Sequence, residues 1–122
     1  MTTTNEKPLI GIVGPCSAGK STLIAQLKKH NMRTRQIAQE HSHVKDMWQR
    51  LTNPDILIFL DVSYATAQER RKLNWNESEH ATQEKRLRHA REHADIYLLT
   101  DGLTPDEIFK KVFDFIKEMT DA

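Results

Sequence analysis

The sequence predicts an α/β fold: a short, mostly parallel sheet of about four strands, flanked by helices in three layers. Three observations point there. Apolar runs and helical patterns alternate along the chain, the signature of a parallel sheet covered by crossover helices. The two strongest strand signals, Leu9-Ile10-Gly11-Ile12-Val13 and Ile56-Leu57-Ile58-Phe59-Leu60, are continuous rather than alternating, as strands buried on both faces require. The length, 122 residues, is about one domain's worth.

Each element has its own justification in chain order. Residues 1–7 carry neither an apolar h-region nor an Arg-rich amphipathic pattern, so they read as a disordered tail rather than a targeting signal; residues 8–122 read as one domain. After the first strand, Leu23, Ile24 and Leu27 fall at helical spacing within Lys20 to His30, and Asn31 is placed to end that helix. A weaker strand follows over about Arg33 to Ala38. Val44, Met47, Trp48 and Leu51 fit the i, i+3, i+4, i+7 template, which predicts a short amphipathic helix over Ser42 to Leu51, stopped by Asn53-Pro54. The central strand Ile56 to Leu60 comes next, then Ser63 as cap of a helix over about Ala65 to Leu73.

Beyond the polar break Asn74-Trp75-Asn76, the segment Ser78 to Ala94 is dense in Glu, Gln, Arg and His, as an exposed or partly covered helix would be. Asp95 to Thr100 is the last strand, closed by Asp101-Gly102. Thr104-Pro105-Asp106-Glu107 is a full helix start, with Thr as cap, Pro at the first helical position and Glu three residues after the cap. Ile108, Phe109, Val112, Phe113, Ile116 and Met119 form its apolar stripe.

Composition narrows the function. Eighteen Lys and Arg against seventeen Asp and Glu give a formal charge of +1. That removes the overall basic excess of a protein that grips nucleic acid by net charge, so nucleic acid is not the expected partner and any anion site must be local. The longest apolar run, Ile56 to Leu60, is far short of the roughly 18 residues of a bilayer span. No membrane partner is expected, and the expected location is cytoplasmic. Cys16 is the single cysteine and cannot form an intramolecular disulfide.

Gly14-Pro15-Cys16-Ser17-Ala18-Gly19-Lys20-Ser21 matches the phosphate-binding pattern G-x-x-x-x-G-K-[ST], and a buried strand enters it while an amphipathic helix leaves it. Gly14 and Gly19 permit backbone conformations closed to other residues, letting consecutive N–H groups surround a phosphate. The helix beginning near Lys20 aims its unsatisfied N–H groups at the same anion. Lys20 is expected to reach the β- and γ-phosphates, Ser21 to ligate Mg²⁺, and residues 14 to 22, through Thr22, to form the cofactor-binding segment. Cys16 reads as a small loop residue presenting its backbone, in preference to a thiol activated by the helix terminus.

This loop, the strand Ile56 to Ser63 followed by a helix with Glu69-Arg70-Arg71, and the stretch Arg91 to Glu107 together resemble the small P-loop kinases, a group that includes nucleoside-monophosphate, shikimate and gluconate kinases. The resemblance implies a P-loop NTPase fold, ATP or another nucleoside triphosphate with Mg²⁺ as cofactors, and transfer of the γ-phosphate to a small-molecule acceptor. It also implies an Arg-rich lid over about residues 70 to 94, with Arg70, Arg71, Arg86, Arg88 and Arg91 as candidates by position. Electrostatics agrees, because residues 70 to 91 hold seven of the eighteen basic residues and phosphoryl transfer depends on charge stabilisation. The chain resembles a trimmed version of that group. The helix ending near His30 leads almost directly to Arg33, with no acceptor-binding insert and no Asp-Gly-x-Pro-Arg type motif. A kinase is therefore the leading expectation. A nucleotide-binding switch acting on a protein partner, or a slow NTPase without an acceptor, stands beside it.

Ligands of open α/β sheets bind beyond the carboxyl ends of the strands. Gln39, Glu40 and His41 follow the second strand, and Asp61 follows the third. Glu40 ranks above Asp61 as the Mg²⁺-associated or base carboxylate, because the corresponding strand of the kinases the chain resembles carries no catalytic acid. His41-x-His43, and His89 with His93, are weak metal candidates for want of a completing Cys or carboxylate pattern. Trp48 reads as core; Trp75 is a candidate to pack the lid or stack on a base. No Asn-Lys-x-Asp motif is present, which argues against a Ras-like GTPase.

Overall fold

The strands β1 (Leu9–Val13), β2 (Arg33–Gln36), β3 (Ile56–Asp61) and β4 (Ile96–Leu99) form one sheet in the order β2-β1-β3-β4, with every neighbouring pair parallel. This is a computed structural model, and it describes residues 7–71 and 76–120. Residues 1–6 of the tail expected over 1–7, the helical reading beyond Arg71 and the role considered for Trp75 lie outside the described residues, as does the side chain of Arg71. Lys7 is described and is tied down, its Nζ donating to the Asn31 carbonyl at 2.7 Å and its carbonyl accepting from Arg33 Nη1 at 2.7 Å. Five α-helices are described: α1 (Lys20–Lys29), α2 (Met47–Leu51), α3 (Tyr64–Arg71), α4 (Glu77–His93) and α5 (Pro105–Thr120), with a 3-10 turn at Gln39–His41.

The continuous apolar strands take the centre, as their patterning requires. All six residues of β3 are buried, whereas β2 stands at the edge and is mostly exposed. Alternate residues of β1 and β3 feed opposite faces. Ile10, Ile12, Ile58 and Leu60 pack with Leu23 and Leu27 of α1 and with Ile108, Val112 and Ile116 of α5. Val13, Leu57 and Phe59 pack on the other side with Trp48, Leu87 and Ala90. Each Val, Leu, Ile or Phe among them contributes roughly 1.5–3 kcal/mol by leaving water. Helices thus cover both faces.

Local signals set the element ends. Asn31, at φ 60°, terminates α1 after His30. The Ser63 hydroxyl accepts from the Thr66 N–H at 3.2 Å, capping α3. Thr104 and Glu107 form a reciprocal capping box, with Thr104 Oγ1 accepting at 3.2 Å and Glu107 Oε1 at 2.8 Å.

Two expectations change in detail. The helix expected over Ser42 to Leu51 is confined to Met47–Leu51; Val44 is 39% and Leu51 75% exposed, and Trp48 is the buried member of that pattern. Buried Gln39 is the cause, since its Nε2 donates to the Val44 carbonyl at 2.7 Å and its Oε1 accepts from the Trp48 N–H at 2.8 Å. Side-chain bonds of this kind compete with helical ones. In α5 the stripe is narrower than expected: Ile108, Val112 and Ile116 are buried, while Met119 is 43% exposed. Among the described residues, no helix is long and apolar enough to cross a membrane.

Candidate functional site

Because all four strands run the same way, their carboxyl ends share one edge of the sheet. The segment after β1, the 3-10 turn after β2, Asp61 at the end of β3 and Thr100 after β4 all gather there. The loop after β1 is bent by left-handed backbone at three positions, Gly14 (φ 152°), Ser17 (φ 72°) and Gly19 (φ 101°). Gly14 is also demanded by packing, since a Cβ there would lie 1.9 Å from the Leu60 carbonyl oxygen. Gly19 caps α1 without a side-chain bond. The first-turn N–H groups of α1 therefore point out of the helix end with its partial positive charge.

Lys20, buried on the first turn, donates from Nζ to the Gly14 carbonyl and pairs with Glu40 Oε2 at 2.5 Å. Glu40 is itself only 3% exposed, and its Oε1 is buried without a hydrogen-bond partner. Its main-chain carbonyl accepts from Arg86 Nη1 at 3.3 Å. Ser21 Oγ donates to Gln36 Oε1 at 3.1 Å. Cys16 is held by Gln83 of α4, whose Oε1 accepts from the Cys16 N–H at 2.9 Å and whose Nε2 donates to Sγ at 3.2 Å. A cavity of about 370 Å³ opens over this group, lined by Cys16, Lys20, Ser21, Gln36, Glu40 and His41 among others.

A second cavity, about 340 Å³, adjoins the loop through Ser17, Gly19 and Thr22 and is walled by Arg70, Leu103 and Ile108. Arg70 clamps this side. Its guanidinium donates to the Ser17 carbonyl at 2.9 Å, to Thr100 Oγ1 at 3.0 Å and to the Thr100 carbonyl at 2.7 Å.

The remaining candidates sit apart from Lys20. Asp61 Oδ2 accepts from the Tyr97 hydroxyl at 2.5 Å and its Oδ1 from the Val62 N–H at 2.9 Å. Burial, then the charge of Asp61, raises Glu84 from 4.5 to about 7, and burial with the hydrogen bond to Asp61 pushes Tyr97 up to about 12. Arg91 lies 5.0 Å over the Tyr97 ring and 4.0 Å from Glu84. Arg88 and Arg91 line a cleft of about 410 Å³ with Glu84, His80 and Tyr64. The fold thus brings Lys20, Ser21, Glu40, Arg70 and Arg86 to the loop and places Asp61, Arg88 and Arg91 around Glu84.

The histidine candidates also separate. His89 Nδ1 accepts from Trp48 Nε1 at 3.1 Å, and His93 stacks on His89 with ring centres 4.2 Å apart, so both belong to the packing of buried Trp48. Sequence reasoning missed Gln83, Gln36, Thr100, Tyr97 and Glu84. Gln83 and Cys16 are 67 residues apart, and no local pattern announces such a pair. The sequence matches no protein-family model and no curated protein.

Proposed function

We propose that the protein binds MgATP or a related nucleoside triphosphate through residues 14–22 and acts as a small-molecule phosphotransferase of the P-loop class. The observation that carries this reading is the buried ammonium of Lys20 at the head of α1, beside a loop with three left-handed residues and open to a cavity. The donor set fits a triphosphate with its metal. The first-turn N–H groups and Lys20 suit phosphate oxygens, the Ser21 hydroxyl suits Mg²⁺, and the unpartnered oxygen of Glu40 suits a metal-bound water or an acceptor hydroxyl. When bound, the triphosphate supplies the electrophilic phosphorus and Mg²⁺ neutralises its charge.

The chain's own groups position and stabilise. Lys20 trades part of its pairing with Glu40 for phosphate; among the described residues Arg70 reaches the loop at Ser17 and Arg86 reaches the Glu40 carbonyl beside it. The Leu103 and Ile108 wall of the 340 Å³ cavity offers an apolar face for a base. A second reading, a triphosphate-driven switch, draws on the bond from Arg86 to the Glu40 carbonyl, which ties α4 to the residue opposite Lys20.

Calorimetric titration with MgATP tests the binding. Lys20→Ala is expected to weaken it by at least about tenfold, since a charged phosphate contact contributes roughly 1.5–3 kcal/mol; unchanged affinity overturns the assignment. ATP consumption is then followed across nucleosides, monophosphates, sugars and sugar acids. A kinase shows acceptor dependence. A switch shows none, but gives triphosphate-dependent hydrogen-exchange protection of α4.

A further inference from the structure

Among the described residues, Cys16, Glu40 and His41 bring three metal-ligating atoms within 4.8 Å of one another. His41 Nε2 lies 4.0 Å from Cys16 Sγ and 3.8 Å from Glu40 Oε2. We propose that these three side chains form a Zn²⁺ site, with a fourth coordination position open to the adjoining cavity.

Ligand chemistry selects the metal. A thiolate, an imidazole and a carboxylate suit a borderline divalent ion in tetrahedral geometry, whereas Mg²⁺ and Ca²⁺ take oxygen sets. Bonds of about 2.3 Å to sulfur and about 2.0–2.1 Å to nitrogen and oxygen imply ligand separations of roughly 3.3–3.7 Å. The two edges to His41 need to close by about half an ångström, and the Cys16–Glu40 edge, within 4.8 Å, by up to about 1.3 Å. The His41 side chain, 60% exposed, is free to make that movement.

The other two ligands are already held. Gln83, 6% exposed, donates to the sulfur while its oxygen takes the Cys16 N–H, the outer bonding that orients a ligand. Glu40 and His41 are neighbours on the 3-10 turn, fixed by the bonds from the His41 N–H to the Ala38 carbonyl and from the Ser42 N–H to the Gln39 carbonyl. Glu40 Oε1 is buried with no hydrogen-bond partner, and Oε2, the oxygen 3.8 Å from His41 Nε2, is shared with Lys20. An unsatisfied buried carboxylate oxygen is costly, and a cation held across both oxygens of Glu40 removes the cost. On binding, Cys16 releases its thiol proton to solvent and the sulfur lone pair forms the metal bond.

Cobalt(II) titration of the full chain, without nucleotide, tests the site. The expected result is one Co²⁺ per chain with a thiolate-to-cobalt charge-transfer band in the near ultraviolet, displaced by Zn²⁺. Cys16→Ser, a near-isosteric change at a half-buried position, removes the band. His41→Ala and Gln83→Leu each weaken affinity by about tenfold or more, and His43→Ala leaves it unchanged. No band, a band that survives Cys16→Ser, or sensitivity to His43→Ala in place of His41→Ala overturns the proposal. Because no nucleotide is present, this result is independent of the triphosphate assay.

Discussion

Truncating Glu40 to alanine strips the counter-charge from a lysine that the fold has already taken out of water. Lys20 and Glu40 are 5% and 3% exposed, and Nζ and Oε2 are 2.5 Å apart. With an effective dielectric constant of about 20, unit charges at that separation attract by roughly 7 kcal/mol. Desolvation of the two ions offsets most of this, so the intact pair adds little over well-packed apolar side chains. Removing one half is different, because it leaves a buried charge uncompensated at about 3–5 kcal/mol. The Gly14 carbonyl still accepts from Nζ, which places the expected loss at the lower end, about 3 kcal/mol. A domain of this size has only about 5–15 kcal/mol to lose. Urea unfolding followed by circular dichroism reads the change as a lowered midpoint at unchanged slope. The double variant Lys20→Met/Glu40→Leu is expected to recover most of the loss. A loss below about 1 kcal/mol for Glu40→Ala, or a double variant no more stable than the single one, refutes the reasoning.

Two further outcomes follow from local geometry. Gly14→Ala drives a Cβ to 1.9 Å from the Leu60 carbonyl oxygen at φ 152°, so it should cost about 3 kcal/mol or more; Gly102→Ala, at φ 74° with nothing within 4 Å, should cost only about 1–2 kcal/mol. Thermal melts of the two variants check the order, and equal melting temperatures would contradict it. Glu84 holds its proton to about pH 7 in the folded chain but to only about 4.5 when unfolded. Its contribution is therefore fully present below about pH 4.5 and is lost as pH rises through about 7, on the order of 1–3 kcal/mol at this half-buried position. Glu84→Gln should flatten the pH dependence of unfolding over that window, and an unchanged slope would count against the burial of Glu84 beside Asp61.

The fold was legible where one residue type answers one local demand. Ile56 to Leu60 has no polar residue to turn toward water, and all of it is buried at the centre of the sheet. Thr104 and Glu107 bond each other across three residues, a range that sequence spacing reads directly. Over Ser42 to Leu51 the helix is shorter than the pattern predicts, because apolar periodicity carries no information about Gln39, whose side chain claims the backbone groups of Val44 and Trp48. The segment Glu77–His93 shows a related limit. Its few apolar residues announce a partly covered helix, but not that His80 and Gln83 would be buried along with Leu87 and Ala90.

By itself the sequence determined an α/β alternation, the two central strands, the caps, and a Gly-flanked turn from a buried strand into Lys20. These follow from residues within a few positions of one another, and short-range sterics and hydrogen bonding decide them. The tertiary structure alone decided which carboxylate faces Lys20. Glu40 and Asp61 both stand at strand carboxyl ends, yet the strand order and the 3-10 turn deliver Glu40 to the lysine, while Asp61 turns to Tyr97 and Glu84. The same packing sets Gln83 against Cys16 and Arg70 across Ser17 and Thr100. Such pairings join distant segments through the shape of the sheet and its covering helices, and side-chain reach in three dimensions determines them.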